Sequence, residues 1–216
     1  MLKFNKLNIG CGKTDYREEY WNTDFLEENT PDEIVDLKQL PLPYKDNRWE
    51  EIICFNVLQY LTYGEIENVL FEFVRICKPE GIIKIDVPHY FGALPATFFR
   101  KSTHFTALDF YYLAGKLDGV LEKLWITPKR TLNITKIKIL LPKGLHIMNH
   151  IVEPLINLNM RTQYIYENSC LGRLFPPRVI YVEIKKRKLF SAEIRTQYIY
   201  EPSCLGRLFP SRVMWR

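Results

Sequence analysis

Short apolar runs alternate with one amphipathic stretch through the first 90 residues, and this alternation constrains the chain more than any other feature. Lys6–Ile9, Tyr20–Phe25, Glu33–Leu37, Glu51–Phe55 and Gly81–Val87 each read as a strand. "EIICF" (51–55) is apolar without interruption after its first residue, as a strand buried on both faces requires. Glu65–Lys78 places Ile66, Val69, Leu70, Phe73, Val74 and Cys77 three and four residues apart, which makes one apolar stripe on a helix. "KPEG" (78–81) is expected to stop that helix, because proline cannot continue it and glycine permits a reversal.

Farther along, Thr106–Leu121 reads as a helix capped by Thr106. Arg130–Leu141 and Arg178–Lys185 alternate like strands, and residues 145–175 are helical in part. The order predicts an α/β domain with a Rossmann-like, mostly parallel sheet, helices on both faces and an antiparallel C-terminal strand. In such sheets, ligands sit beyond the carboxyl ends of the strands, where strand order reverses. Gly10, Gly12, Asp24, Asp36 and Asn56 all fall at or just past strand ends, on one rim.

That rim suits a ligand containing a nucleoside. A glycine turn lets backbone approach a ligand closely, and its N–H groups can hold an anion. A carboxylate at the next strand's end can accept hydrogen bonds from ribose hydroxyls. "GCGKTD" (10–15) lacks the third glycine of a dinucleotide fingerprint, and Asp24 follows Gly12 by only twelve residues. A nicotinamide cofactor is therefore disfavoured, and no phosphate-binding P-loop pattern occurs.

Residues 6–90 as a whole resemble the class I S-adenosylmethionine-dependent methyltransferases, in particular the short type 11 kind. "LNIGCG" resembles the glycine-rich first motif, and "YWNTDF" the strand whose aspartate binds ribose. "DEIVDLKQLPLPYKDNRWEEIICFNVLQYL" and "EFVRICKPEGIIKIDVP" follow in the family's order and spacing. The resemblance implies S-adenosylmethionine as cofactor and methyl transfer as the reaction. It puts Gly10, Cys11 and Gly12 against the methionine part, Asp24 on the ribose and Phe25 beside the adenine. It also puts Asp36 and Leu37 on the adenine and Asn56 under the methionyl end. Asn8 stands where many members carry an acid, Asn56, Gln59 and Tyr60 replace His, Glu and His, and Glu80 replaces a glycine. The helix expected after the first motif has little room, with seven residues between Gly12 and Tyr20.

Methyl transfer from a sulfonium needs alignment and exclusion of water, and a base only where the acceptor must lose a proton. The candidates are His104 and His89, since histidine titrates near neutral pH. His89 follows a strand end on the rim, and His104 precedes a helix able to cover the site. His146 and His150 are four apart, but no third ligand is evident, so no metal is expected. The five scattered cysteines suit neither a disulfide framework nor a metal site.

Residues 1–99 hold 10 Lys/Arg against 17 Asp/Glu, while residues 100–216 hold 20 against 8. The basic half could favour an anionic glycan, a lipid carrier or nucleic acid as methyl acceptor, though no RNA- or DNA-binding motif supports the last. No apolar run reaches membrane-spanning length, and the start "MLKFNKLNIG" has no signal-peptide block. A cytoplasmic protein without a membrane span is expected. The competing reading is a degenerate cofactor-binding or interaction module without turnover.

"RTQYIYENSCLGRLFPPRV" (161–179) returns as "RTQYIYEPSCLGRLFPSRV" (195–213), with 17 of 19 positions identical at an offset of 34. Two copies are too few for a solenoid. Only the first continues into a strand, so the expected organisation is a domain over 1–189 and a loosely packed, duplicated tail over 190–216.

Overall fold

The computed structural model describes residues 4–92, 103–116, 131–142 and 148–187. Among the described residues seven strands form one sheet: β1 (Lys6–Ile9), β2 (Trp21–Asp24), β3 (Glu33–Ile34), β4 (Trp49–Phe55), β5 (Cys77–Pro88), β6 (Ile134–Leu140) and β7 (Val179–Lys185). Their order is β3–β2–β1–β4–β5–β7–β6. The pairs from β3 to β5 are parallel, and β7 lies antiparallel between β5 and β6. Strand order therefore reverses between β1 and β4, which fixes where a ligand rim can form.

Side chains alternate along a strand, so register assigns them to faces. Leu7, Ile52, Ile83 and Ile184 align across four strands on one face, and all are buried. Helix α1 (Tyr63–Ile76) lays Ile66, Val69, Leu70, Phe73 and Ile76 into the same core. Thr62 caps it and trades hydrogen bonds with Glu65. The other face carries Lys84, Asp86, Tyr181 and Glu183, which are only half-buried. Within β4, Ile52, Ile53 and Cys54 are all buried, as the unbroken run predicted.

Several boundaries differ from the sequence reading, each for a local reason. The strand expected over Glu33–Leu37 leaves the sheet after Ile34, because Asp36 accepts the Lys38 N–H and bends the chain. "KPEG" does not separate helix from strand. β5 begins at Cys77, directly after α1, and Glu80 adopts a φ of +67° inside it. Buried Lys186 holds this junction, its Nζ donating to the Cys77 and Arg75 carbonyls at 2.8 and 3.2 Å. Helix α2 (Ala107–Leu113) does start after Thr106, whose N–H and hydroxyl both donate to Asp109. It stops well short of Leu121, since Gly115 turns left-handed at φ +64° and takes up the Tyr112 carbonyl. The duplicated tail over 190–216 lies outside the described residues.

β1 and β2 are joined without a helix. Residues 10–20 are instead held against the sheet by two buried asparagines. Asn22 Oδ1 accepts the Arg17 N–H at 2.9 Å, and its Nδ2 donates to the Arg17 and Tyr20 carbonyls. Asn8 Nδ2 donates to the Asp15 carbonyl at 2.6 Å and to Asn22 Oδ1. Loop backbone thus finds the partners a helix would have supplied internally.

Among the described residues β6 is the last strand on its side of the sheet, and its outer edge is covered by α3 (Glu153–Ile156) and α4 (Met160–Asn168). Asn157 imitates a paired strand there: Oδ1 accepts the Ile139 N–H at 2.7 Å, and Nδ2 donates to the Ile139 carbonyl at 2.8 Å. Asn157→Ala is expected to cost about 1–3 kcal/mol, because it strips two backbone groups of their partners. A lowered urea midpoint with unchanged slope checks this; an unchanged midpoint refutes it.

Candidate active site

The glycine turn is built by contact with two other strands. Gly10 and Gly12 have φ of +73° and +51°, a region that disfavours side chains. The N–H groups of Gly10 and Cys11 both donate to the Thr23 carbonyl, at 2.7 and 3.0 Å. A Cβ on Gly10 would lie 2.1 Å from Val57 Cγ2, so the turn after β1 interlocks with the turn after β4. A Cβ on Gly12 would meet nothing within 4 Å, which leaves that side of the turn open.

Asp24, at the end of β2, points into this turn. Its Oδ2 accepts the Gly12 N–H at 2.8 Å, and its Oδ1 accepts the Leu26 N–H and Asn29 Nδ2 at 2.9 and 3.0 Å. The structure therefore brings Gly10, Cys11, Gly12 and Asp24 together. It differs from the sequence reading in one respect: all three N–H groups of the turn are committed within the protein. The turn can grip a ligand by close approach, not by donating those hydrogens.

The remaining rim residues divide. Phe25 is 63% exposed beside Asp24, a free ring surface. Asn56 is exposed just past β4, with φ of +57°; its N–H donates to the Asp86 carbonyl, and its own carbonyl accepts Gln59 Nε2 at 2.7 Å. Leu37 is buried in the main core, and Asp36 is used in its turn. Asn8 is fully buried and pinned to the loop, away from any ligand role. Cys11 is buried, and burial together with Asp24 pushes its thiol up to about 11, so it is no nucleophile at neutral pH.

The two histidines occupy different settings. His89 is fully buried; its Nδ1 accepts the Phe91 N–H at 3.1 Å, so Nε2 carries the proton and meets Glu167 Oε1 at 2.7 Å. Neither nitrogen is open to an acceptor in this arrangement. His104 lies half-buried at the rim, its ring edge-on to Tyr90 at 5.5 Å and its carbonyl accepting the Tyr63 hydroxyl. Tyr63 and Tyr90 are 59% and 49% exposed, so aromatic surface flanks His104.

Sequence reasoning missed Glu167 and assigned Asp86 to its strand, where the structure has it. Glu167 is buried 78 residues from His89, and also accepts the Ala107 N–H at 2.8 Å. Its only sequence signal is a carboxylate on a helix turn that otherwise packs inward. Asp86 reads as a strand residue, yet burial pushes its carboxyl up from 3.8 to about 6, against the pull of Arg178. Among the described residues no three His, Cys, Asp or Glu side chains group as a metal site; His146 lies outside them. No described helix is long and apolar enough to cross a membrane.

Solved structures share this architecture. The chain is similar to an S-adenosylmethionine-dependent methyltransferase from Archaeoglobus fulgidus, with 17% identity over 85% of this chain and 86% of that one, at a TM-score of 0.52. It is also similar to a chain of the complex between the Haloferax volcanii Trm112 methyltransferase activator and a methyltransferase, with 12% identity over 85% of this chain and 82% of that one, at a TM-score of 0.52. The Haemonchus contortus phosphoethanolamine N-methyltransferase 1, solved with phosphoethanolamine and S-adenosylhomocysteine, matches 87% of this chain and 40% of its own, at 14% identity and a TM-score of 0.50. No family model and no curated protein matches the sequence. The chain has the class I S-adenosylmethionine-dependent methyltransferase fold. These likenesses do not single out the type 11 group.

Two measurements check the site's physics. Gly10→Ala is expected to destabilise the protein by about 1–3 kcal/mol through its positive φ and the clash with Val57. Adding Val57→Ala should return part of that loss, and strict additivity of the two changes refutes the interlock. The raised Asp86 pKa means the folded state binds that proton more tightly than the unfolded chain. Stability is therefore lost as pH rises from about 4 to about 6, by about 1–3 kcal/mol after discounting for partial exposure. Asp86→Asn should remove this slope; a wild-type-to-variant difference that is equal at pH 4 and pH 7 refutes it.

Proposed function

We propose that this chain is a methyltransferase that binds S-adenosylmethionine at the rim of β1 and β2 and methylates an anionic or glycan-type acceptor. One observation carries the reading. Asp24 and the Gly10–Gly12 turn converge, with open space on the Gly12 side and the exposed Phe25 ring beside them. The donor set fits the cofactor: a carboxylate for ribose, a ring for adenine, and bare glycine backbone for the methionine part. The cofactor would supply a methyl group on a sulfonium, already joined to a good leaving group.

The chain's own residues then orient and shield. Gly10, Cys11, Gly12 and Asn56 border the methionine end, and Asp24 fixes the ribose. Asp36 and Leu37 border the adenine through their turn. His104 takes the acceptor's proton where one must leave, whereas His89 positions the rim through Glu167. The Tyr63 and Tyr90 rings supply a surface for a sugar face, and the excess of Lys and Arg beyond residue 99 supports an anionic acceptor.

A second reading has its own support. Asp24 Oδ1 already accepts two hydrogen bonds, so a two-pronged grip on a ribose requires Asn29 to let go. With Asn56, Gln59 and Tyr60 in altered positions, this favours a cofactor-binding module without turnover. S-adenosylhomocysteine at a hundred times its Kd should stabilise the protein by about 2.7 kcal/mol, a rise in Tm of about 5–10 °C. Asp24→Ala should abolish that rise. A shift that survives the substitution refutes the ribose assignment, and binding without product from a panel of acidic and glycan acceptors supports the second reading.

A further inference from the structure

The first copy of the duplicated segment has a defined place in the fold. Residues 161–179 contribute α4, the short α5 (Cys170–Leu174) and the entry to β7. They fill a socket made by α2, the outer edge of β6 and His89. Gln163 accepts the Tyr111 hydroxyl at 2.9 Å and donates to the Ile137 carbonyl at 3.0 Å. Tyr166 is buried in a cluster with Ala107, Ile139 and Ile156. Glu167 takes hydrogen bonds from His89 and from the Ala107 N–H. Gly172 is needed because a Cβ there would lie 2.5 Å from the Tyr166 carbonyl oxygen.

The second copy repeats every one of these groups, as Gln197, Tyr200, Glu201 and Gly206. Side chains that recognise the first copy have no means of refusing the second. We propose that residues 195–213 are a second occupant of this socket, entering it within the same chain when residues 161–179 leave. The reach is sufficient. Lys186 is held at the α1–β5 junction, so the tether is counted from Arg187: seven residues separate it from Arg195, and they can span about 25 Å. β7 is the immediate neighbour of β6, so the socket edge lies about 10 Å across the sheet. Tethering also favours a chain's own copy over that of a neighbour at ordinary protein concentrations.

Two differences rank the copies. Asn159 caps α4 by accepting the Thr162 N–H at 3.1 Å, and the second copy has Glu193 in that place. Asn168 ends α4, and the second copy has Pro202, which disfavours helical backbone at Glu201. The first copy therefore holds the socket most of the time in the native chain; the second enters in the brief intervals when the first leaves, and for longer when the first is weakened. This inference is independent of methyl transfer.

The test uses full-length protein throughout. Gln163→Ala with Glu167→Ala weakens the first copy, and Gln197→Ala with Glu201→Ala weakens the second. The second pair alone should leave Tm unchanged, the first pair should lower it, and all four together should lower it by about a further 5 °C. Equal Tm for the first-pair variant and the fourfold variant overturns the proposal. Disulfide trapping gives an answer that does not depend on folding of the weakened variants. Tyr111→Cys with Gln197→Cys, in a chain whose first copy is intact, should form a link within one chain under mild oxidation. Pro202→Asn with Glu193→Asn should speed its formation about tenfold. No link, or a link found only between two chains, overturns the proposal.

Discussion

The connection from β1 to β2 sets the terms for everything at the rim. It is too short for a covering helix, so its backbone has to be satisfied by the sheet itself. Asn22 does this with a side-chain amide that pairs with Arg17 as a neighbouring strand would, and Asn8 extends the pairing to Asp15. Once the loop is drawn down in this way, the chain leaves β1 through a left-handed turn, and glycine is the residue that tolerates it. The same descent brings the Gly12 N–H onto Asp24. The geometry of the candidate rim is thus a consequence of where a buried amide pair holds eleven residues of loop.

A second buried polar contact ties the rim to the far side of the sheet. Glu167 comes from α4, on the layer that covers the β6 edge, and reaches His89 just past β5. One carboxylate oxygen receives both His89 Nε2 and the first N–H of α2. Three elements distant in sequence therefore meet at one atom. Removing that oxygen leaves two buried donors unsatisfied, a larger loss than an exposed pair of the same geometry would give. The position of Tyr90 and His104 at the mouth depends on this contact, because His89 also forms a bridge with Phe105.

The elements that could be read from sequence are those whose pattern has one physical cause. The α1 stripe and the apolar β4 run reflect burial alone, and both appear where the periodicity puts them. Gly10, Gly12 and Asp24 were legible because a turn and a strand end constrain residue type locally. Elements set by partners elsewhere were not. β3 is cut short by Asp36 binding its own turn, and α2 by Gly115, each a single hydrogen-bonding choice within an otherwise compatible pattern. Asn8 and Asn22 look like ordinary polar residues in strands until the loop is seen folded over them. Glu167 has only a weak local signal, a carboxylate on an inward-packing helix turn, since its partners are 60 and 78 residues away.

Strained backbone also means different things at the two ends of this sheet. Asn56 and Glu80 both adopt left-handed conformations, at φ +57° and +67°. Asparagine enters that region readily, so Asn56 at the rim requires little compensation. Glutamate does not, and the cost at Glu80 is of order 1–2 kcal/mol. It is offset at the opposite end from the rim, where the Glu80 N–H donates to the Lys186 carbonyl and its carboxylate meets Lys185 at 2.8 Å. Lys186 in turn donates to Asn47 Oδ1, itself left-handed at φ +57°. The strain at Glu80 therefore belongs to the junction of α1 with β5, where the end of β7 holds it in place. The rim carries strain of its own, because β-branched Thr30 turns left-handed at φ +49° directly after Asn29, whose side chain binds Asp24. The geometry of the candidate active site therefore rests on that held turn as well as on the buried amides and Glu167.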